Sequence, residues 1–345
     1  MTTRVLTERE LNRALLVRQL LLERVRIGMP RTVERLCALQ AQYSPSPYIA
    51  LWSRIEGFRK EQLTRALERR QVVKATLFRT TLHIVSARDY PSYAAVWHGG
   101  HDHRLAGAAV GADLDELRRR IRERATAAPI THEELQELVA PHMYGWVARR
   151  LVPLVHVPPS GTWRYHGRIE MTTCDAWLGC GIADPTDGAV TYLRRYLAAF
   201  GPASQADLLR FGNFRLADVK SGLDALEPRL RRFRDERGRL LLDVERGPLP
   251  LADTPAPVRF LPKWDSALLA YAPPERTRIL PEQYRKRVIA TNGDVAQTVL
   301  VDGFVAAVWS VDKGRLKIEP LRRLTRDERA AVDDEGERLL EFLRD

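Results

Sequence analysis

Two carboxamides flanking one small apolar residue, Gln40-Ala41-Gln42, precede Tyr43-Ser44-Pro45-Ser46-Pro47 and are the residues of this chain whose types and spacing best suit uncharged chemistry. Each amide carries an acceptor and a donor on one planar group, so two of them brought together can hold and orient a water molecule. Upstream, Thr32 is positioned to N-cap a helix running to about Gln42, with Val33, Leu36 and Cys37 on one face, and Gln40 falls in the middle of that apolar face. An unpaired amide there costs about 1–3 kcal/mol, so Gln40 needs either a buried partner or a groove open to ligand and water. On a continued helix Gln42 would point the other way, but residues preceding Pro45 and Pro47 are biased toward extended conformations. Unwinding at Tyr43 is therefore expected to turn both amides into one pocket. The bland alternative is a pair of structural amides, since Gln-x-Gln arises often by chance.

Elements must position that pair. Thr7-Glu8-Arg9-Glu10 is a capping box that opens a first helix with Leu11, Ala14, Leu15, Leu21, Leu22 and Val25 on one face. A third helix is expected near Glu61–Gln71, then a strand over Ala75–Val85, where alternation sets Arg79, Thr81 and His83 toward a cleft. Thr131-His132-Glu133-Glu134 is a second capping box, followed after Pro141 by a helix around His142–Leu151. Val155-His156-Val157 and Trp163-Arg164-Tyr165 read as a hairpin joined by Pro158-Pro159-Ser160-Gly161. From Ser204, a short helix ended by Gly212, a helix striped by Leu216, Val219, Leu223 and Leu226, and strands at Leu230–Arg234 and Arg239–Val244 repeat this plan. Helix, turn, helix, hairpin is the winged-helix order. Beyond Pro250, short apolar runs at Val258–Leu261, Val288–Ala290, Gln297–Val301, Phe304–Val311 and Leu316–Glu319, with turns at Asp302-Gly303 and Asp312-Lys313-Gly314, predict an antiparallel meander. Thr325-Arg326-Asp327-Glu328 caps a last helix. The fold class read from this pattern is α+β, with segments 1–100, 101–188, 189–250 and 251–345 and linkers at Pro248–Pro257 and Gly179–Gly188.

The 345 residues are 45% hydrophobic, enough for a sizeable core, and carry a net charge of +11 that favours a polyanionic partner. Only seven of the 55 basic residues are lysines, a skew that an arginine-rich genome alone can produce. Part of the excess has an address: Arg229, Arg231, Arg232, Arg234, Arg237 and Arg239 crowd the hairpin after Leu226. Arg237 and Arg239 flank Gly238 at its turn, and Trp163-Arg164-Tyr165-His166-Gly167-Arg168 interleaves aromatic and basic residues, so Arg164, Arg168, Arg237 and Arg239 join Arg79 and His83 as candidate DNA contacts. For such wings a solvated hairpin is the bland reading, and for His83 a satisfied structural histidine. No apolar run of about 18 residues and no basic-then-apolar leader is found, so a cytoplasmic protein without a membrane partner is expected. The three cysteines lack metal-ligand spacing and suit a reducing compartment. Neither a metal nor a cofactor is expected.

Five motifs in order carry a family resemblance. They are Leu39-Gln40-Ala41-Gln42; Arg79-Thr80-Thr81-Leu82-His83-Ile84-Val85; Tyr196-Leu197 leading to Gly201-Pro202-Ala203-Ser204; Leu261-Pro262-Lys263-Trp264-Asp265; and Val301-Asp302-Gly303-Phe304 leading to Trp309. The chain resembles, over nearly its whole length, the winged-helix DNA-binding domain family that includes the AlkZ-type DNA glycosylases, which excise bulky N7-alkylguanine adducts and unhook interstrand crosslinks. The resemblance implies three tandem winged helices around a basic concave groove, a monomer acting on double-stranded DNA, and a catalytic Gln-aliphatic-Gln motif that Gln40-Ala41-Gln42 matches. A sister branch has Asp at the second position, where this chain has Gln42. The chemistry is consistent with neutral side chains, because guanine alkylated at N7 is already cationic and leaves with little proton donation. Gln42 would then hold the attacking water while Gln40 orients it. Asp265 is expected to be a helix cap or hydrogen-bond hub. Competing readings are a non-catalytic winged-helix regulator and a lesion binder, neither of which needs the amide pair on a groove.

Overall fold

The computed structural model describes residues 3–99, 113–139, 145–273 and 275–344. Its strands assemble into three sheets. The largest sheet has six antiparallel strands in the order Leu39–Gln40, Thr81–Ser86, Val72–Leu77, Leu154–His156, Glu170–Thr173 and Ile130–Thr131, and so joins the first two chain segments edge to edge through the Ala75–Val155 pair. A meander of Arg259–Leu261, Thr298–Val301, Phe304–Asp312 and Arg315–Pro320 forms the second. In the third, Val5–Leu6 lies parallel to Leu230–Asp235, which pairs with Leu240–Val244.

The long helix Pro185–Phe200 starts at an Asp184 N-cap with Pro185 in its first turn, and buries Ala189, Tyr192, Leu193, Tyr196, Leu197 and Phe200 at helical spacing. It packs against the helices Tyr90–Gly99 and Leu216–Leu226. Both approaches are close enough to require glycine: a Cβ on Gly188 would lie 2.7 Å from the Ser92 carbonyl oxygen, and one on Gly222 would lie 2.5 Å from the Ala189 Cβ.

Capping chemistry fixed the starts of many helices. Reciprocal boxes form at Thr7–Glu10, Thr131–Glu134, Ser204–Asp207 and Thr325–Glu328. Between Ser204 and Val244 the chain follows the expected order: helix Gln205–Gly212, helix Leu216–Leu226, then the two strands. The helix Glu8–Arg18 docks on the meander through the left-handed turn Asp302-Gly303, with the Asn12 amide donating to the Gly303 and Arg278 carbonyls at 2.8 and 2.7 Å.

Elsewhere the elements differ from expectation. The second helix spans Met29–Arg35, not Thr32–Gln42, because Pro30 starts it early and Cys37, at φ +68°, breaks it. Leu39–Gln40 is therefore a strand. The single strand expected over Ala75–Val85 is a hairpin, Val72–Leu77 and Thr81–Ser86, reversed at Phe78–Thr80 where Arg79 and Thr80 have φ of +56° and +59°. Trp163–Tyr165 is not a strand; Leu154–His156 pairs instead with Glu170–Thr173 across a long loop. Val288 ends the short helix Arg285–Val288, leaving only an Ile289–Val295 bridge where a strand was expected. Part of the helix expected at His142–Leu151 lies outside the described residues, and the described part spans Gly145–Leu151.

A buried ion pair locks the first helix to the third sheet. Arg18 donates to both Asp243 carboxylate oxygens at 2.6 and 3.0 Å, and both side chains are essentially inaccessible. Removing one partner strands the other charge, so Asp243→Ala is expected to destabilise the protein by about 3–5 kcal/mol. A urea-unfolding midpoint within error of wild type would contradict this.

Candidate functional site

A cleft of about 730 Å3 opens where the edge of the six-stranded sheet meets the meander, and Gln40 and Gln42 both line it. The extended backbone brings them together. The turn at Cys37 ends the helix and lets Leu39–Gln40 run as a strand, with Gln42 in the bend that follows it. Leu39 and Gln40 pair with Ile84 and His83, and the Ala41 N–H donates to the Leu82 carbonyl at 2.7 Å. Where the ladder stops, the amides complete it themselves: Gln40 Oε1 accepts the Gln42 backbone N–H at 3.1 Å, and Gln42 Oε1 accepts the Leu82 N–H at 3.3 Å. Gln40 is buried and Gln42 exposed. Each carbonyl oxygen retains a second lone pair, and neither NH2 is spent on a protein acceptor among the described residues.

The facing wall comes from the Lys263-Trp264 turn and the loop Ile289–Asp294. Trp264 adopts a left-handed φ of +55°, a conformation costly for a bulky residue. What holds it is Asp265, which caps the helix Ser266–Leu269 through the Ala267 N–H at 3.0 Å and accepts both Nη groups of Arg54 at 2.8 and 3.0 Å, the pair fully buried. Asp265 is thus the cap and hub expected of it. Ser266 Oγ donates to the Ala38 carbonyl at 3.0 Å, tying this wall to the strand that carries Gln40. Lys263 pairs with Asp294 at 3.0 Å and the Trp264 indole N–H donates to the Gly293 carbonyl at 3.0 Å, which closes the wall on itself.

Arg79 reaches the cleft from the Phe78–Thr80 turn. Phe78 plugs that turn into an aromatic cluster, its ring 5.3 to 5.4 Å from those of Tyr93, Tyr192 and Phe211. Arg79 donates through Nη1 to the Phe211 carbonyl and lies over the Phe211 ring. Its Nη2 is buried without a partner. Burial, with the nearby Arg276 and Arg210 guanidiniums, pushes its pKa down to about 10, so it remains a cation at neutral pH. Arg210 and Arg276 also line the cleft; neither was singled out in the sequence, because no local spacing links residues so far apart to Gln40.

The other sequence-selected residues lie elsewhere. His83 points to the same face as Thr81 but is fully buried, its Nδ1 3.0 Å from the Thr81 carbonyl and its ring edge-on to Phe78. Strand alternation gave its face and missed its depth. Arg164 and Arg168 are exposed on the loop between the strands Leu154–His156 and Glu170–Thr173. Arg237 and Arg239 line a separate hollow of about 120 Å3 at their hairpin turn. There Arg239 is held by Asp235 at 2.7 Å and by Glu275, while the Asp235 carboxylate accepts the Arg237 N–H. No cluster of three His, Cys, Asp or Glu side chains suited to a metal occurs among the described residues, and no described helix is long and apolar enough to cross a membrane.

This architecture has a solved counterpart. Streptomyces sahachiroi DNA glycosylase AlkZ superposes with a TM-score of 0.83 over 96% of this chain and 95% of its own, at 20% sequence identity, which shows a shared α+β fold. A curated relative, described as an interstrand DNA cross-link repair glycosylase of Streptomyces sahachiroi, is 24% identical over 356 aligned positions covering 92% of each protein. The family model described as DNA glycosylase AlkZ-like matches residues 33–342, and the chain belongs to that family of DNA glycosylases.

Burial also makes a pH dependence. It pushes the pKa of His83 and of His98 down to about 3 and that of His156 well below its ordinary value. A histidine with a depressed folded-state pKa binds its proton more readily when unfolded, at about 6.5. Its stabilising contribution is therefore complete above that pH and is lost as pH falls toward the folded-state value. The urea midpoint is expected to drop between pH 7 and pH 5; an equal or higher midpoint at the lower pH would contradict the neutral, buried assignment.

Proposed function

We propose that this glycosylase hydrolyses the N-glycosidic bond of bulky N7-alkylguanine in double-stranded DNA, including guanine tied into an interstrand crosslink, and so repairs or confers resistance to alkylation. The observation that carries this reading is the placement of Gln40 and Gln42 side by side on one wall of a cationic cleft. Alkylation at N7 makes guanine a cationic leaving group, so the enzyme needs little acid catalysis. What it must supply is a water placed against the sugar as oxocarbenium character develops. A lone pair on the Gln42 amide oxygen accepts from that water, and the Gln40 amide next to it fixes its orientation. No cofactor, metal or covalent enzyme intermediate enters the scheme.

Size and charge fit the same substrate. The cleft volume of about 730 Å3 falls within the range of about 300–1,000 Å3 that suits small-molecule-sized groups, large enough for a guanine carrying a substituent. Its lining has four cations, Arg79, Arg210, Lys263 and Arg276, against one carboxylate, Asp294, which Lys263 neutralises. Duplex DNA would lie along a basic concave groove framed by three winged-helix units, with Arg79 at the lesion and Arg164, Arg168 and Arg237 on flanking phosphates. Arg239 could join them only by leaving Asp235 and Glu275, and His83 acts from behind as a packing residue. The protein would work as a monomer. A relative described as a cross-link repair glycosylase supports extending the substrate to crosslinks.

Single-turnover release of 7-methylguanine and of a bulkier N7 adduct from a defined duplex tests the proposal. Gln40→Ala and Gln42→Ala are each expected to slow release about 100-fold, as loss of one positioning group does. Release by both variants at the wild-type rate would remove the two glutamines from the chemistry.

A further inference from the structure

Three guanidiniums, those of Arg79, Arg210 and Arg276, line one cleft. Arg79 comes from the Phe78–Thr80 turn, Arg210 from the last turn of the helix Gln205–Gly212, and Arg276 from the 3-10 turn Glu275–Arg278. Burial disfavours the charged forms of Arg79 and Arg276, and neighbouring guanidiniums add to it, Arg276 and Arg210 acting on Arg79 and Arg210 and Arg285 on Arg276, where Asp207 opposes them. The cleft's one acid, Asp294, is taken by Lys263. Protein partners satisfy only part of this donor set. Arg79 Nη1 donates to the Phe211 carbonyl and Arg276 Nε to the Tyr271 carbonyl at 2.9 Å, whereas the buried Arg79 Nη2 has none and Arg210 makes no ion pair among the described residues.

Like charges gathered around an orphaned buried N–H destabilise the free protein, and an anion bound between them removes both penalties. Guanidinium donors suit the tetrahedral oxygens of a phosphate, which planar forks engage in pairs. We propose that Arg79, Arg210 and Arg276 together bind a single backbone phosphodiester, the one adjoining the nucleotide presented to Gln40 and Gln42. This rests on the proposed DNA substrate and adds where the strand is clamped. One phosphate held by three side chains from separate elements fixes the sugar relative to the amides, so the clamp positions the reacting bond.

The test is the salt dependence of binding to a duplex containing a tetrahydrofuran abasic analogue, which needs no base release and so stands or falls independently of the hydrolysis assay. Each phosphate neutralised contributes about 0.9 to the slope of log affinity against log salt concentration. Arg210→Gln and Arg276→Gln are each expected to weaken binding about tenfold, the loss of a hydrogen bond to a charged group, and to lower the slope by no more than about 0.9. The double variant is expected to lower it by about 0.9 in total, because the three side chains share one phosphate. Arg276→Lys, which keeps the charge and loses the fork, should retain the slope while binding more weakly. A slope that falls additively, by about 1.8 in the double variant, would assign the arginines to separate phosphates and overturn the clamp. Unchanged affinity and slope in folded variants would remove them from the interface altogether.

Discussion

The pairing of Leu39–Gln40 with Ile84–His83 is the constraint on which the site depends. The pairing holds Gln40 in place, and Gln42, in the bend just past the strand, lines the same cleft; a helix through the same residues would have opposed them. The pairing is only two residues long, which makes the amides' own hydrogen bonds to the Gln42 and Leu82 N–H groups part of the ladder rather than an accessory to it. The proposed catalytic amides and strand termination are thus one structural feature. Replacing either glutamine removes an amide from the cleft and also frees a backbone donor.

Around this edge, rigidity comes from interactions that are costly to break singly. The buried Arg54–Asp265 pair holds the strained Trp264 backbone, and the same Arg54 donates to the Gln19 and Ala50 carbonyls, so the wall facing the amides is anchored in the first segment of the chain. On the other side Phe78 is sunk among aromatic rings from three helices, which anchors the turn that carries Arg79. Both devices spend backbone strain to place a side chain, and both are found at the cleft.

What could be read from the residues follows from how local each signal is. Capping boxes at Thr7 and Thr131, helix caps at Ser204 and Thr325, and the Asp302-Gly303 turn are short-range chemistry and were visible. So was the convergence of Gln40 and Gln42 on one pocket, although the reason inferred was a helix unwinding at Tyr43, whereas the helix ends at Arg35 and a two-residue strand and a bend carry the amides. Left-handed residues other than glycine were not visible: Cys37, Arg79, Thr80 and Trp264 each redirect the chain by accepting a conformation their side chains disfavour, under tertiary packing that periodicity does not encode. Arg210 and Arg276 were missed for a related reason, since only the folded chain brings them to Arg79. His83 shows the limit of alternation, which assigns a face and says nothing of how deeply that face is covered.

The central claim is that two neutral amides act on one water as a unit, and a double-mutant cycle in single-turnover hydrolysis measures this directly. With Gln40→Ala, Gln42→Ala and the double variant compared on one N7-alkylguanine duplex, the account predicts that the double variant is about as slow as the slower single variant. Rate losses that multiply would mean two independent roles for the glutamines and would contradict it.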